Sequence, residues 1–315
     1  MPEAGVTPAV SLDHVTVIYG KNPALRDVSA TFPKGAVGLL GPNGAGKSTM
    51  LKSLLGFVPP TAGKLEVLGL NVAERPLEVR ARLGYMPETD GHIPGMNAVT
   101  FVAYCGRLAG LPKVDAMQRA HEVLFYVGLG EARYRNVETY STGMKQRIKL
   151  AQALVHDPDL LFLDEPTNGM DPKGREEMLE LIRDLAHNKG VDLILSSHLL
   201  PDVEYTCDHV IVLDKGAIAT SGSIDALKGP GGRIYEVRVK GQLAPFLAAL
   251  KDAGLESHET DEDVMRVFVP GALAAPGGDQ RRICEIALAS QVQVRHLRPS
   301  IPTLEDVFAR AVGES

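Results

Sequence analysis

Basic residues are in the minority in this 315-residue chain: 33 Lys and Arg stand against 39 Asp and Glu, a formal net charge of −6. Without a basic excess the chain as a whole has no field to hold a phosphate backbone, and nucleic acid is not expected as a partner. Long apolar runs are also missing. The opening MPEAGVTPAV has no cationic segment leading into an apolar h-region. No run of about 18 apolar residues occurs that could cross a bilayer. The expectation is a soluble protein whose membrane role, if any, needs a partner. Cysteine is scarce: Cys105, Cys207 and Cys284 are odd in number, scattered and without metal-ligand spacing, which fits free thiols in a reducing compartment. Low-complexity segments and repeats of 20–50 residues are absent.

What is present is a core-forming chain, 44% hydrophobic, long enough for one large and one small domain. Residues 10–19 alternate and then run apolar, and AVGLL at 36–40 reads as a short buried strand entering GPNGAGKST and a helical MLKSLLG. LLFLD at 160–164, VDLILSS at 191–197 and VIVLD at 210–214 read as further buried strands, with a capped helix at EEMLELIRDLAHNKG. Apolar strands alternating with helices predict a mostly parallel sheet covered on both faces. Between about 97 and 139 the strand pattern gives way to helical segments, a helical insert. Lys228-Gly229-Pro230-Gly231-Gly232 is a breaker cluster. It predicts a first domain over 1–228, a linker at 229–233 and a second domain over 234–315. There, strands at 235–240, 264–270 and 292–298 interleave with helices at 246–254 and 281–289, and a helix at 303–312 closes the chain. That order predicts a small α+β domain of ferredoxin-like type.

Three motifs carry chemistry. Gly41-Pro42-Asn43-Gly44-Ala45-Gly46-Lys47-Ser48, followed by Thr49, matches G-x-x-x-x-G-K-[ST] between a strand and a helix. Its glycines let backbone N–H groups turn around phosphate oxygens, aided by the helix N-terminus. Lys47 is expected to reach the β- and γ-phosphates and the Ser48 hydroxyl to bind Mg²⁺. Leu160-Leu161-Phe162-Leu163-Asp164-Glu165 puts two carboxylates at the end of a buried strand, where ligands gather in open parallel sheets. Asp164 is expected to hold Mg²⁺. Glu165, one residue on and facing the opposite way, is expected to act as general base on an attacking water. The third motif is Tyr140-Ser141-Thr142-Gly143-Met144-Lys145-Gln146-Arg147. It opens a helix at Ser141 and Gly143, as a plain helix cap or as a second anion-binding N-terminus.

Together these segments, over roughly residues 10–225, resemble an ABC ATPase, a P-loop NTPase. Ser141, Gly143, Gln146 and Arg147 match the family signature, whereas Tyr140, Thr142, Met144 and Lys145 depart from its commonest form. The resemblance implies that the signature, including Ser141, Gly143 and Met144, binds the γ-phosphate of ATP held by an opposite subunit. Two copies of the chain, or one and a homologous ATPase, would then clamp two MgATP head to tail. It also implies that Tyr19 stacks on adenine, that His198 contacts the γ-phosphate and orients water, and that Asp171 in Gly169-Met170-Asp171-Pro172 lies in the dimer-contact loop. The family's usual Gln is replaced in Gly84-Tyr85-Met86-Pro87-Glu88, where Glu88 can still offer an oxygen to Mg²⁺.

The resemblance further implies an ATPase at the cytoplasmic face of a membrane, coupled through the helical insert to an integral membrane permease. The segments YEVRVK, FLAALKDAGL, MRVFVP and TLEDVFARAV are similar to the accessory domain in a branch exporting drugs, polysaccharides or sodium. The alternative is a soluble ATP-driven switch acting on a cytosolic or nucleic-acid partner.

Overall fold

The structure, a computed structural model, describes residues 7–228, 232–259, 264–271 and 278–312. The chain divides into two compact units, 1–222 and 223–315. The division falls six residues before the breaker cluster; residues 229–231 of the expected linker lie outside those described.

The first unit holds two sheets. Strands β1 (Val10–Tyr19) and β2 (Asn22–Phe32) pair antiparallel, and β1 also pairs with β4 (Ala62–Val67), which ends on the short β5 (Leu70–Asn71). The second sheet is built on β3 (Ala36–Leu40), followed by helix α1 (Lys47–Leu54). After helix α2 (Pro76–Ala81) comes β6 (Leu83–Met86). Helices α3 (Ala98–Leu108), α4 (Lys113–Tyr126) and α5 (Thr142–Leu154) separate it from β7 (Leu160–Asp164). Then follow α6 (Pro172–Arg183), β8 (Asp192–Ser196), α7 (Leu200–Thr206), β9 (His209–Asp214) and β10 (Ala217–Ser223).

The sheet order is β10-β9-β3-β8-β7-β6. All four ladders from β9 to β6 are parallel, with β3 between β8 and β9. Every residue of β3 and β7 is buried, as a strand covered on both faces requires. The antiparallel sheet is what the sequence reading lacked. It expected a strand at 10–19 but none at 22–32, because β2 carries no clean alternation: register shifts interrupt its pairing with β1, and Asp27 sits at φ 50. Val10, Leu12, Val15, Leu25, Val28 and Phe32 of this sheet share one core with Met50, Leu51 and Leu54 of α1 and Phe162 of β7. That core holds the phosphate-loop helix between two sheets.

Helices α3 and α4 occupy residues 98–108 and 113–126 of the segment read as a helical insert. Asn97 caps α3, its Oδ1 accepting from Thr100 N at 2.9 Å. Helix α5 reaches β6 because position 84 has no side chain: a Cβ on Gly84 would lie 2.3 Å from Ala153 O.

The second unit contains α8 (Ile224–Lys228), β11 (Gly232–Lys240), α9 (Leu243–Asp252), β12 (Glu256–Glu259), β13 (Met265–Pro270), α10 (Gly278–Ala289), β14 (Gln293–Ser300) and α11 (Leu304–Val312). Its antiparallel sheet runs β12-β13-β11-β14, the order produced by two interleaved βαβ units. A buried ionic cluster ties α11 to this sheet. Arg266 Nε lies 2.9 Å from Asp306 Oδ1, His258 Nε2 lies 3.2 Å from the same oxygen, and Asp306 Oδ2 accepts from Thr303 N at 2.7 Å.

Burial favours the neutral form of Asp306. The His258 and Thr303 hydrogen bonds and the Arg266 charge outweigh it, holding this carboxyl below its ordinary range. A folded pKa below the unfolded one gives stability that is present above the unfolded value and is lost as the pH falls through the folded one. Asp306→Asn is therefore expected to cost this unit about 3 kcal/mol near neutrality, since it strips the partner from a buried Arg. The cost should begin to shrink below about pH 4, the unfolded carboxyl's range, and fade as the pH drops further through the lowered value of the folded parent. Amide exchange over residues 304–312, followed against pH, measures it.

Candidate functional site

The cleft is assembled from strand ends. The loop leaving β3 turns back on itself at Gly46, whose φ of 110 is left-handed and where a Cβ would lie 2.7 Å from Ala24 O. Only glycine meets both demands. α1 starts at the next residue, with its free N–H groups facing the loop's concavity. The cleft is lined by residues 42–49 together with Ala24, Glu88, Asp164, Glu165 and His198.

Lys47 is only 8% exposed, and its Nζ donates to Gly41 O at 2.6 Å and Pro42 O at 3.4 Å. Burial pushes its pKa down, against the opposing pull of Glu165, Asp164 and Glu88. Asp164 moves the other way. Burial raises it first, and the negative charges of Glu88 and Glu165 add to the rise. Tyr85, on β6 beside these acids, is pushed up to about 12 by burial and by Asp164 and Glu88. Three carboxylates facing the one lysine of the described lining make a site electrostatically short of positive charge.

That shortage is the test of whether Mg²⁺ fits. Ser48, Asp164 and Glu88 offer hard oxygen donors in one cleft. Among the described residues no three His, Cys, Asp or Glu side chains are grouped to hold a metal by themselves. This donor set suits an ion that takes much of its shell from phosphate oxygens and water, as Mg²⁺ does with nucleotides.

One expectation needs correction. Strand alternation would send Glu165 to the face opposite Asp164, yet both line the cleft. Strand β7 ends at Asp164, and Glu165 takes φ 50, a left-handed conformation secured by its N–H donating to Ser196 O at 2.9 Å. The turn brings its carboxylate back beside its neighbour's. His198 Nδ1 then lies 2.8 Å from Glu165 Oε2, a carboxylate oriented by an imidazole as a general base requires.

Sequence reasoning missed the brace behind this pair. Asp202, buried on α7, accepts from Thr167 Oγ1 at 2.6 Å and from Arg175 Nε at 2.7 Å. It ties the loop after Glu165 and helix α6 to the helix that follows His198. An acid next to a proline at a helix start reads as a cap, so no local signal marked it.

The remaining candidates stand apart from the cleft lining. Gly41 contributes its carbonyl to Lys47. Tyr19, at the end of β1, is 48% exposed. Ser141 is the N-cap of α5, its Oγ accepting from Met144 N at 3.4 Å, and Gly143 lies in that helix's first turn. Asp171 is the N-cap residue of α6 and makes no side-chain capping bond. None of Tyr19, Ser141, Gly143, Met144 and Asp171 lines the pocket that holds the phosphate loop. Gln146 and Arg147 are structural: Gln146 Nε2 donates to Asn168 O at 2.8 Å, and Arg147 Nη1 donates to Val127 O at 2.7 Å.

A parallel sheet with a glycine-rich loop, an invading lysine and paired carboxylates at its strand ends defines a P-loop ATPase. The ABC transporter family profile matches residues 25–168. The linearmycin resistance ATP-binding protein LnrL of Bacillus subtilis is 32% identical over 96% of this chain and 98% of its own length. The bacitracin transport ATP-binding protein BcrA of Bacillus licheniformis is 31% identical over 95% of each. A solved ATP-binding subunit of an ABC transporter superposes with a TM-score of 0.62 at 28% identity, covering 70% of this chain and 92% of that one. The chain belongs to the ATP-binding proteins of ABC transporters.

Proposed function

We propose that the chain is the motor subunit of an exporter, working at the cytoplasmic face of a membrane on a separate integral permease. The observation that carries this is the extent of the match: LnrL and BcrA, whose names speak of linearmycin resistance and bacitracin transport, align with both units of the chain. Among the described residues no helix is long and apolar enough to cross a membrane.

In this reading the phosphate loop and the α1 N-terminus bind the ATP phosphates, Lys47 neutralises the β- and γ-oxygens, and Ser48, Asp164 and Glu88 hold Mg²⁺. That ion, when bound, supplies charge neutralisation on the phosphates. Glu165 takes a proton from the attacking water, His198 holds its carboxylate in line, and Tyr19 offers its ring to adenine. Ser141, Gly143 and Met144, with Asp171 nearby, would close over the nucleotide of a second copy or a homologous ATPase. Their absence from this chain's own phosphate cleft supports that. The second unit, ferredoxin-like in this reading, serves as an accessory domain that stabilises the dimer.

The test is to express Glu165→Gln in a source that holds the neighbouring chains, solubilise membranes in detergent and purify in ATP. A multispanning protein in stoichiometric amount is expected. An ATP-dependent dimer recovered only from the soluble fraction would refute the exporter reading and favour a cytosolic switch.

A further inference from the structure

Helix α5 carries a lysine where an amphipathic helix would place an apolar residue. Lys149 is 1% exposed, among the largest fully buried side chains of the chain. Its Nζ donates to the backbone oxygen of Glu88 at 2.7 Å and lies 3.6 Å from Asp90 Oδ1. One turn earlier on the same helix face, Lys145 Nζ lies 3.5 Å from Asp90 Oδ2. Two residues beyond Asp90, the loop is packed again: the His92 ring meets Phe101 of α3 edge-on, with centroids 5.4 Å apart.

Burying an ammonium costs several kcal/mol of hydration, and apolar residues of similar volume often serve stability as well or better. Stability therefore does not account for a lysine here. What an apolar residue could not do is grip a backbone carbonyl. The carbonyl that Lys149 grips belongs to the residue whose side chain lines the phosphate cleft, and the helix that Lys149 rides is headed by Ser141. One buried side chain thus joins the two phosphate-facing parts of the chain that are far apart in sequence.

We propose that Lys149 is a positioning residue for ATP hydrolysis, fixing the Glu88 loop to the helix headed by Ser141 through the Glu88 carbonyl and the Asp90 carboxylate. The inference rests on the ATPase reading above and extends it. When α5 moves, the Glu88 side chain moves with it, so the geometry of the metal-facing acid follows the position of the helix that addresses the opposite nucleotide.

The experiment uses the full-length chain with Lys149→Met, Asp90→Asn and the double substitution. Lys149→Met is expected to leave the urea midpoint at or above the parent value and the affinity for a fluorescent ATP analogue within about twofold. kcat should fall roughly 10- to 100-fold, the range that misplacing a group by about 1 Å brings. Amide exchange over residues 88–92 should accelerate. Asp90→Asn, at a more exposed position, should lower kcat in the same direction, and the double substitution should cost no more than Lys149→Met alone. Parent-like kcat in both single variants overturns the proposal, and so does a double variant in which the two losses multiply. A parent chain that binds and hydrolyses no ATP would instead refute the ATPase reading, which separates the two failures.

Discussion

Glu165→Gln is expected to lower kcat for ATP hydrolysis about 10³-fold, within the range for losing a positioned general base, with little change in ATP affinity. The amide has nearly the shape of the carboxylate and can still bond to His198, whose Nδ1 lies 2.8 Å from Oε2. What it cannot do is take a proton from water. The backbone bond from residue 165 N to Ser196 O does not involve the side chain, so the turn that delivers the group should persist. Phosphate release at saturating MgATP and titration with a fluorescent nucleotide separate the two quantities. Hydrolysis within about tenfold of the parent would move the base elsewhere in the cleft, with His198 the next candidate.

Lys47→Met should act on binding and chemistry together, lowering kcat/KM by about 10³-fold or more, the scale at which a fixed charge stabilises developing negative charge in a sheltered site. Among the described residues Lys47 is the only lysine or arginine lining a cleft that Glu88, Asp164 and Glu165 make negative. Without it the phosphates of ATP approach three carboxylates with no lysine or arginine left in the described lining. Methionine keeps most of the buried stem, so the fold should survive, and the thermal midpoint of the variant serves as the control. The Asp164 carboxyl, already raised by burial and its neighbours, loses the one charge that opposes the rise. A variant with parent-like kcat/KM would show that the α1 N-terminus alone suffices to hold and activate the phosphates.

Much of this site was legible in the sequence because its chemistry depends on contiguous segments. A glycine loop between a strand and a helix, and acids closing an apolar strand, are patterns whose physical reason is local. Buried parallel strands were legible too, since β3 and the first four residues of β7 carry no polar side chain. β2 was not, because its bulges break the alternation on which strand reading depends. Asp202 and Lys149 were not legible for a different reason. Each is a charged residue on a helix that looks solvent-facing by type, and only the tertiary fold brings Thr167 and Arg175 to the first and the Glu88 carbonyl to the second. The direction of Glu165 was misjudged because alternation was extended one residue past the end of the strand.

That residue carries a cost of its own. A glutamate at φ 50 holds a backbone conformation that glycine would adopt without penalty, a difference on the order of 1 kcal/mol. In the proposed reading, Gly at 165 would therefore relieve strain and remove the base in one step, so the more comfortable chain is expected to be the idle one. In the proposed reading, the backbone torsion at residue 165 is a cost in stability carried for the sake of the carboxylate that the turn delivers to the cleft.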